Sequence, residues 1–194
     1  QDAPDLCKIP LAAPRADFLC VLVSRWFLYY PLTVVGCLDE WIMQKPALDP
    51  DSLPAENASG YPAEFQSRVA GRFRRRLGKE LGLTDYGVNL TTLEPGAQSA
   101  LRHWHLHEDE FIFVVTGELT LITDAGEQLL RPGMCAGFPK NVADGHHLVN
   151  KSDAPATYLE VGSRHPEEVA TYPDDDLHFA RKDGCFTRKD GRKA

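Results

Sequence analysis

Short runs of alternating or β-branched residues, each closed by a turn signal, dominate the middle of the chain. Val88-Asn89-Leu90-Thr91-Thr92-Leu93 ends at Glu94-Pro95-Gly96, the run Glu118 to Thr123 ends at Asp124-Ala125-Gly126, and Thr157 to Val161 ends at Gly162. Within Gly117-Glu118-Leu119-Thr120-Leu121-Ile122-Thr123, alternation places Leu119 and Leu121 on one face, opposite Glu118 and Thr120. Phe111-Ile112-Phe113-Val114-Val115 is aromatic and β-branched and reads as a further strand. Strands this short, at close intervals and separated by Pro, Gly and Asp turns, predict an all-β sandwich or barrel with one buried face per strand.

The flanks are patterned differently. Val69, Phe73 and Leu77 stand four apart among Arg68, Arg72, Arg74, Arg75, Arg76 and Lys79, which predicts a short amphipathic helix with a solvated basic face. Gln44 to Ala63 is rich in Pro, Asp, Ala and Ser and reads as a linker or extended arm. Upstream, Phe18 to Leu38 is a largely apolar stretch of 21 residues, long enough to span a bilayer, but it carries Arg25 and Pro31. A mid-membrane arginine costs roughly 2.5–3.5 kcal/mol on the insertion scale. Val34-Val35-Gly36-Cys37 resembles a lipoprotein cleavage box, yet Asp2 and Asp5 stand where an export signal needs basic residues. Residues 1–42 are therefore expected to lie outside the functional module, upstream of a natural start at Met43; an anchor or export segment and an ordered addition to the barrel are the alternatives. The expected organisation is 1–42 apolar extension, 43–84 linker or arm with the basic helix, 85–164 barrel and 165–194 C-terminal tail. In that tail Tyr172-Pro173-Asp174-Asp175-Asp176 lacks the spaced ligands of a calcium loop and reads as a solvated turn. Arg181 to Ala194 is expected to be mobile, apart from a short strand at Cys185-Phe186-Thr187.

Length and charge narrow the picture further. A chain of 194 residues needs only one core, and a formal charge of −7 argues against nucleic acid as a partner. Cys7, Cys20, Cys37, Cys135 and Cys185 are odd in number and scattered, so they form no disulfide framework. Cys135 is expected to be a small buried core residue.

Candidate chemistry begins at His103-Trp104-His105. In a strand the two imidazoles share one face, with Trp104 on the other, so both can reach one ion. Glu110 follows an expected turn at His107-Glu108-Asp109, and a hairpin there would carry its carboxylate across to the imidazoles. Gly96-x6-His103-x-His105-x4-Glu110-x6-Gly117 is followed, fifteen residues later, by Gly133-x5-Pro139-x6-His146-x3-Asn150. Together these resemble the two motifs of the cupin superfamily over roughly Asp85 to Arg164. The first motif has one residue more than usual between Gly96 and His103. The second has Asn141 where the family has glycine, and two extra residues before the histidine.

The resemblance implies a double-stranded β-helix, or jelly-roll barrel, holding a metal through His103, His105, Glu110 and His146, with His147 as the alternative to His146. Three imidazoles and one carboxylate suit a divalent transition metal such as iron, manganese, nickel or zinc without choosing among them. Strand parity turns Ser99 and Leu101 inward, Arg102 outward, and puts Ile112 and Val114 on the face of Glu110, so the wall around the ion is expected to be mainly apolar. His107 is expected to be a turn residue, and Asn150 to orient His146 or satisfy backbone groups. Tyr158 and Glu160 share one face of their strand, which is either the inward or the outward one. The expected function is a metal-dependent enzyme acting on a small carboxylate, enol or sugar-like substrate, by oxygenase, decarboxylase, isomerase or lyase chemistry. A non-catalytic ligand-binding or sensor barrel with a structural metal is the alternative. The resemblance further implies a homodimer, and the chain is read as cytoplasmic, with no membrane role for the barrel.

Overall fold

The computed structural model describes residues 46–194; the expectations for the apolar extension, for Cys7, Cys20 and Cys37 and for Met43 lie outside the described residues. Among the described residues, twelve strands, all paired antiparallel, build an all-β jelly-roll barrel. One wall is a five-stranded sheet ordered β1 (Arg72–Arg75), β2 (Tyr86–Leu93), β9 (Ala156–Ser163), β4 (Glu110–Thr116) and β7 (Cys135–Phe138). The second is a three-stranded sheet ordered β6 (Gly126–Leu130), β5 (Leu119–Thr123) and β8 (His147–Val149). A four-stranded sheet runs β12 (Cys185–Thr187), β11 (Leu177–Ala180), β10 (Val169–Tyr172) and β3 (Trp104–His105). An isolated bridge between His103 and His146 ties β3 to the start of β8, where the two smaller sheets meet.

Alternation buries the predicted face, although Thr120, expected opposite Leu119 and Leu121, is buried as well. Leu93, Ile112, Val114, Leu119, Leu121, Leu148 and Tyr158 converge between the five- and three-stranded sheets as the main core. Burying each of these aliphatic side chains is worth about 1.5–3 kcal/mol relative to exposure. Gly117 closes the turn before β5 with φ of +72°, and a Cβ there would lie 2.7 Å from the Ala156 backbone. A second core of Tyr61, Leu101, Ala170, Tyr172 and Leu177 fastens the N-terminal arm to the four-stranded sheet.

Three expectations are corrected. The basic segment is not one helix: Arg72–Arg75 is a strand in register with Leu90–Leu93 of β2, set between a 3-10 turn at Ser67–Val69 and a single helical turn at Leu77–Glu80. The ladder wins over the fourfold apolar spacing because the segment lies flat on its neighbours, with Gly71 against Ala97 closer than a Cβ would allow. Residues 165–194, read as a tail, supply the strands β10 and β11 beside the expected strand at Cys185–Thr187, whose Phe186 packs on the second core. Cys135 is exposed, because it stands opposite Phe113 on the outward face of β7 while Ala136 turns to the core. Tyr172 to Asp176 forms the turn between β10 and β11, where Asp174 binds Arg102 and Asp175 binds Arg68.

Candidate metal and substrate site

His103 and His105 leave their strand on the same face, as parity requires, but Glu110 does not reach them through a hairpin. β3 and β4 belong to different sheets, and the turn 107–109 carries the chain from one wall to the other. The carboxylate therefore approaches the imidazoles across the barrel interior. His146 arrives beside His103 through paired backbone bonds, His103 N–H to His146 O at 3.2 Å and His146 N–H to His103 O at 2.8 Å. One ligand atom from each of His103, His105, Glu110 and His146 lies within 4.8 Å of the others. His147 points elsewhere, its Nδ1 3.1 Å from Ala100 O.

Hydrogen bonding orients the ring nitrogens. His103 Nδ1 is 2.8 Å from Leu101 O, which can only accept, so Nδ1 carries the proton and Nε2 turns a lone pair inward. His105 Nδ1 donates to Glu168 Oε1 at 3.0 Å, and its Nε2 sits 3.1 Å from His103 Nε2 and 3.2 Å from Glu110 Oε2. The His146 ring is buried and stacked on Phe138, centroids 3.6 Å apart; among the described residues neither nitrogen has a hydrogen-bond partner, Glu110 Oε2 standing 3.5 Å from Nε2. Orphaned polar atoms of this kind are costly and call for a partner. Three inward nitrogens and a carboxylate are the donor set of a transition ion, so the residues fit a metal.

Electrostatics agree with that geometry. Burial, reinforced by the neighbouring His105 and His146, pushes His103 down to about 3, so it is neutral at all ordinary pH. Burial also opposes charge on His105, but its hydrogen bonds to Glu110 and Glu168 outweigh it and lift the group to about 9. For Glu110, burial raises the carboxyl and the His105 and His146 contacts overcome it, holding it well below the usual carboxylate range.

The cluster opens into a cavity of about 360 Å³. Its wall differs from the apolar one expected: Ile112 and Val114 are buried in the main core, and Arg72, Arg74, Arg164 and Arg181 line the cavity instead. Parity on β1 accounts for two of these, since Arg72 and Arg74 alternate with Phe73. Ser99 lines the cavity and Leu101 is fully buried, as expected, while Arg102 turns away to Asp124, Asp174 and Gly145 O. Tyr158 and Glu160 take the inward choice. Glu160 accepts from Asn89 Nδ2 at 2.9 Å and Arg74 at 3.4 Å, with Tyr158 Oη 3.5 Å away. Burial and the Glu160 charge push the Tyr158 phenol upward, so it stays a donor.

His107 is a turn residue, its ring stacked on His165 rather than on the cluster. Asn150 satisfies the backbone, donating to Leu93 O and Ala154 O, and makes no bond to His146. Asn141 has φ of +60°, the left-handed conformation that glycine would adopt most readily, and its N–H binds His105 O at 2.8 Å. The departure from glycine is thus met by the residue type that best tolerates that backbone. Sequence reasoning missed Glu168, whose buried carboxylate accepts from His105 Nδ1 and, at 2.9 Å, from His107 N–H. It lies just before β10, and nothing local to it signals the pairing of β10 with β3 that brings it in.

The family model for the cupin domain matches residues 89–162. Among solved structures, a cupin-superfamily sugar phosphate isomerase from Silicibacter pomeroyi is 46% identical, with a TM-score of 0.73 over 77% of this chain and 96% of that one. A provisionally assigned sugar phosphate isomerase from Acidithiobacillus ferrooxidans is 28% identical, with a TM-score of 0.56 over 66% of this chain and 88% of that one. The polyketide cyclase RemF from Streptomyces resistomycificus, 18% identical with a TM-score of 0.51 over 60% of this chain and 78% of that one, shares the fold. No curated protein matches the chain. With both motifs in place, the barrel closed around them and a relative matched over nearly its whole length, the chain belongs to the cupin superfamily.

Proposed function

We propose that this protein is a metal-dependent isomerase of a phosphorylated sugar, with His103, His105, Glu110 and His146 as the metal ligands. The observation that carries the reading is the convergence of those four ligand atoms on the floor of a cavity lined with arginines. The 46%-identical sugar phosphate isomerase supports the substrate class. A bound divalent ion would supply Lewis acidity, polarising a carbonyl or hydroxyl of the sugar.

The remaining work falls to the chain's own groups. Aldose–ketose interconversion moves one proton between adjacent carbons and one between their oxygens, with no net change in composition. Glu160 is the base for the carbon proton: it faces the cavity, and Arg74 and Asn89 fix its carboxylate. Tyr158, held protonated, donates a hydrogen bond at the same wall. The arginines bind and orient an anionic substrate. Two copies of the chain are proposed to pair, a point that light scattering on the eluting peak of a sizing column tests.

The deciding experiment is metal content by mass spectrometry on the full chain, followed by NMR of a panel of aldose and ketose phosphates incubated with loaded and chelated protein. Interconversion that disappears on chelation and in Glu160→Gln, with metal retained in that variant, supports the proposal. Folded protein that takes up no metal, or a metal that raises the melting temperature without any turnover, would overturn it in favour of a ligand-binding barrel.

A further inference from the structure

Two arginines beside the proposed metal centre stand apart from the rest of the cavity wall. Arg164 follows β9 and Arg181 follows β11, yet their guanidiniums gather on one carboxylate, Glu108. Arg181 Nη2 donates to both Glu108 oxygens at 2.9 Å, and Arg164 Nη1 lies 3.8 Å from Oε2. Glu108 is buried and is itself fixed by His165 N–H at 2.6 Å, so it holds two long side chains in one place. One negative charge does not neutralise two guanidiniums. Arg181 Nε is shielded from solvent and meets no acceptor among the described residues. Arg164 lies across Gly87, where a Cβ would fall 1.9 Å from its Nη2.

The same two side chains line a neighbouring groove of about 580 Å³ with Arg76 and Lys79, and among the described residues no carboxylate lines it. In a chain of net charge −7 this is a concentrated positive field at the junction of two cavities. Glu108 also stands close to the proposed metal centre, since its carboxylate lies within 4.8 Å of a ring nitrogen of His105 and of the Glu168 carboxylate that binds His105 Nδ1. A short carbon chain bridges that gap.

Resting on the sugar phosphate reading above, we propose that Arg164 and Arg181, anchored by Glu108, form the subsite that receives the phosphomonoester end of the substrate. The planar forks offer paired donors that match phosphate oxygens, and the preset geometry limits the side-chain entropy lost on binding.

Calorimetric titration of the full chain with glucose 6-phosphate, glucose and inorganic phosphate, before and after chelation, tests this. Glucose 6-phosphate is expected to bind at least about tenfold more tightly than glucose, and that preference is expected to survive chelation. Arg164→Gln and Arg181→Lys should each weaken phosphate binding by about tenfold while metal content stays unchanged. Arg181→Lys keeps a cation on Glu108 and so preserves the fold. Gly87→Ala alters no polar group but displaces Arg164, and is expected to weaken binding as well. Equal affinity for glucose 6-phosphate and glucose would overturn the subsite, as would anion binding that vanishes with the metal and ignores all three substitutions. Phosphate binding with these dependences but no turnover would retain the subsite and overturn only the isomerase reading.

Discussion

Replacing Glu168 by alanine removes two hydrogen bonds at once, from His105 Nδ1 at 3.0 Å and from His107 N–H at 2.9 Å. The Glu168 side chain is only 1% exposed, so water cannot easily take its place. Two losses follow. His105 no longer has its Nδ1 proton and ring orientation fixed, and carboxylate partners of this kind are worth about 10–100-fold in metal affinity, or roughly 1.4–2.7 kcal/mol. The His107 N–H is left unpaired, which costs about 1–3 kcal/mol whether or not metal is bound. The two are separated by measuring affinity through chelator competition, on variants whose circular dichroism shows an intact fold, beside thermal melting of the metal-free proteins. Glu168→Gln keeps an acceptor for Nδ1–H and should fall between the parent and Glu168→Ala in affinity. A Glu168→Ala protein that binds metal as tightly as the parent would refute the positioning role, whatever its melting temperature.

Further outcomes are expected at the same centre. His146→Ala should strip most of the metal, whereas His147→Ala and His107→Ala should leave it largely in place; mass spectrometry on the purified variants decides, and loss in His147→Ala would mean that the fourth ligand is misassigned. In metal-free protein His105 is raised from 6.5 to about 9, so its contribution to stability is complete below pH 6.5 and lost as pH rises to about 9. Melting temperature of chelated protein across that window should fall for this reason, and less so in His105→Gln. Metal uptake at pH 7 should displace about one proton, seen as binding heats that vary with the ionisation enthalpy of the buffer; identical heats in all buffers would contradict the protonated starting state. Asn141→Gly should change stability by no more than about 0.5 kcal/mol, while Asn141→Val should cost about 1–2 kcal/mol by urea unfolding, because a β-branched residue resists the left-handed backbone.

What the sequence revealed divides along the range of the interactions involved. Strand alternation alone placed His103 and His105 together, and buried Leu119 and Leu121, because that periodicity is a property of a few consecutive residues. Glu110 and His146 were legible through their motif spacing, although their route to the centre, across the barrel and not round a hairpin, was not. The arginines were seen as a basic cluster and assigned to solvent; which way Arg72 and Arg74 point depends on pairing with β2, some twenty residues later. Glu168 and Arg181 were invisible for the same reason. Their places are set by β10 and β11, and a local pattern carries no information about which strand a meander will join.

The pairing of β3 with β10 also has a consequence for the order in which the molecule matures. β3 is two residues long and takes its ladder partners from Ala170 and Thr171, far along the chain. Sheet contacts of such wide separation form late, and synthesis delivers the N-terminal side first. The five-stranded wall can close once β9 has left the ribosome, but His105 has no fixed seat until Glu168 and β10 have followed. A chain lacking β10 would then present a barrel with His105 unset, so the pairing of β3 with β10 would make metal binding at the proposed centre depend on the segment that carries Glu168.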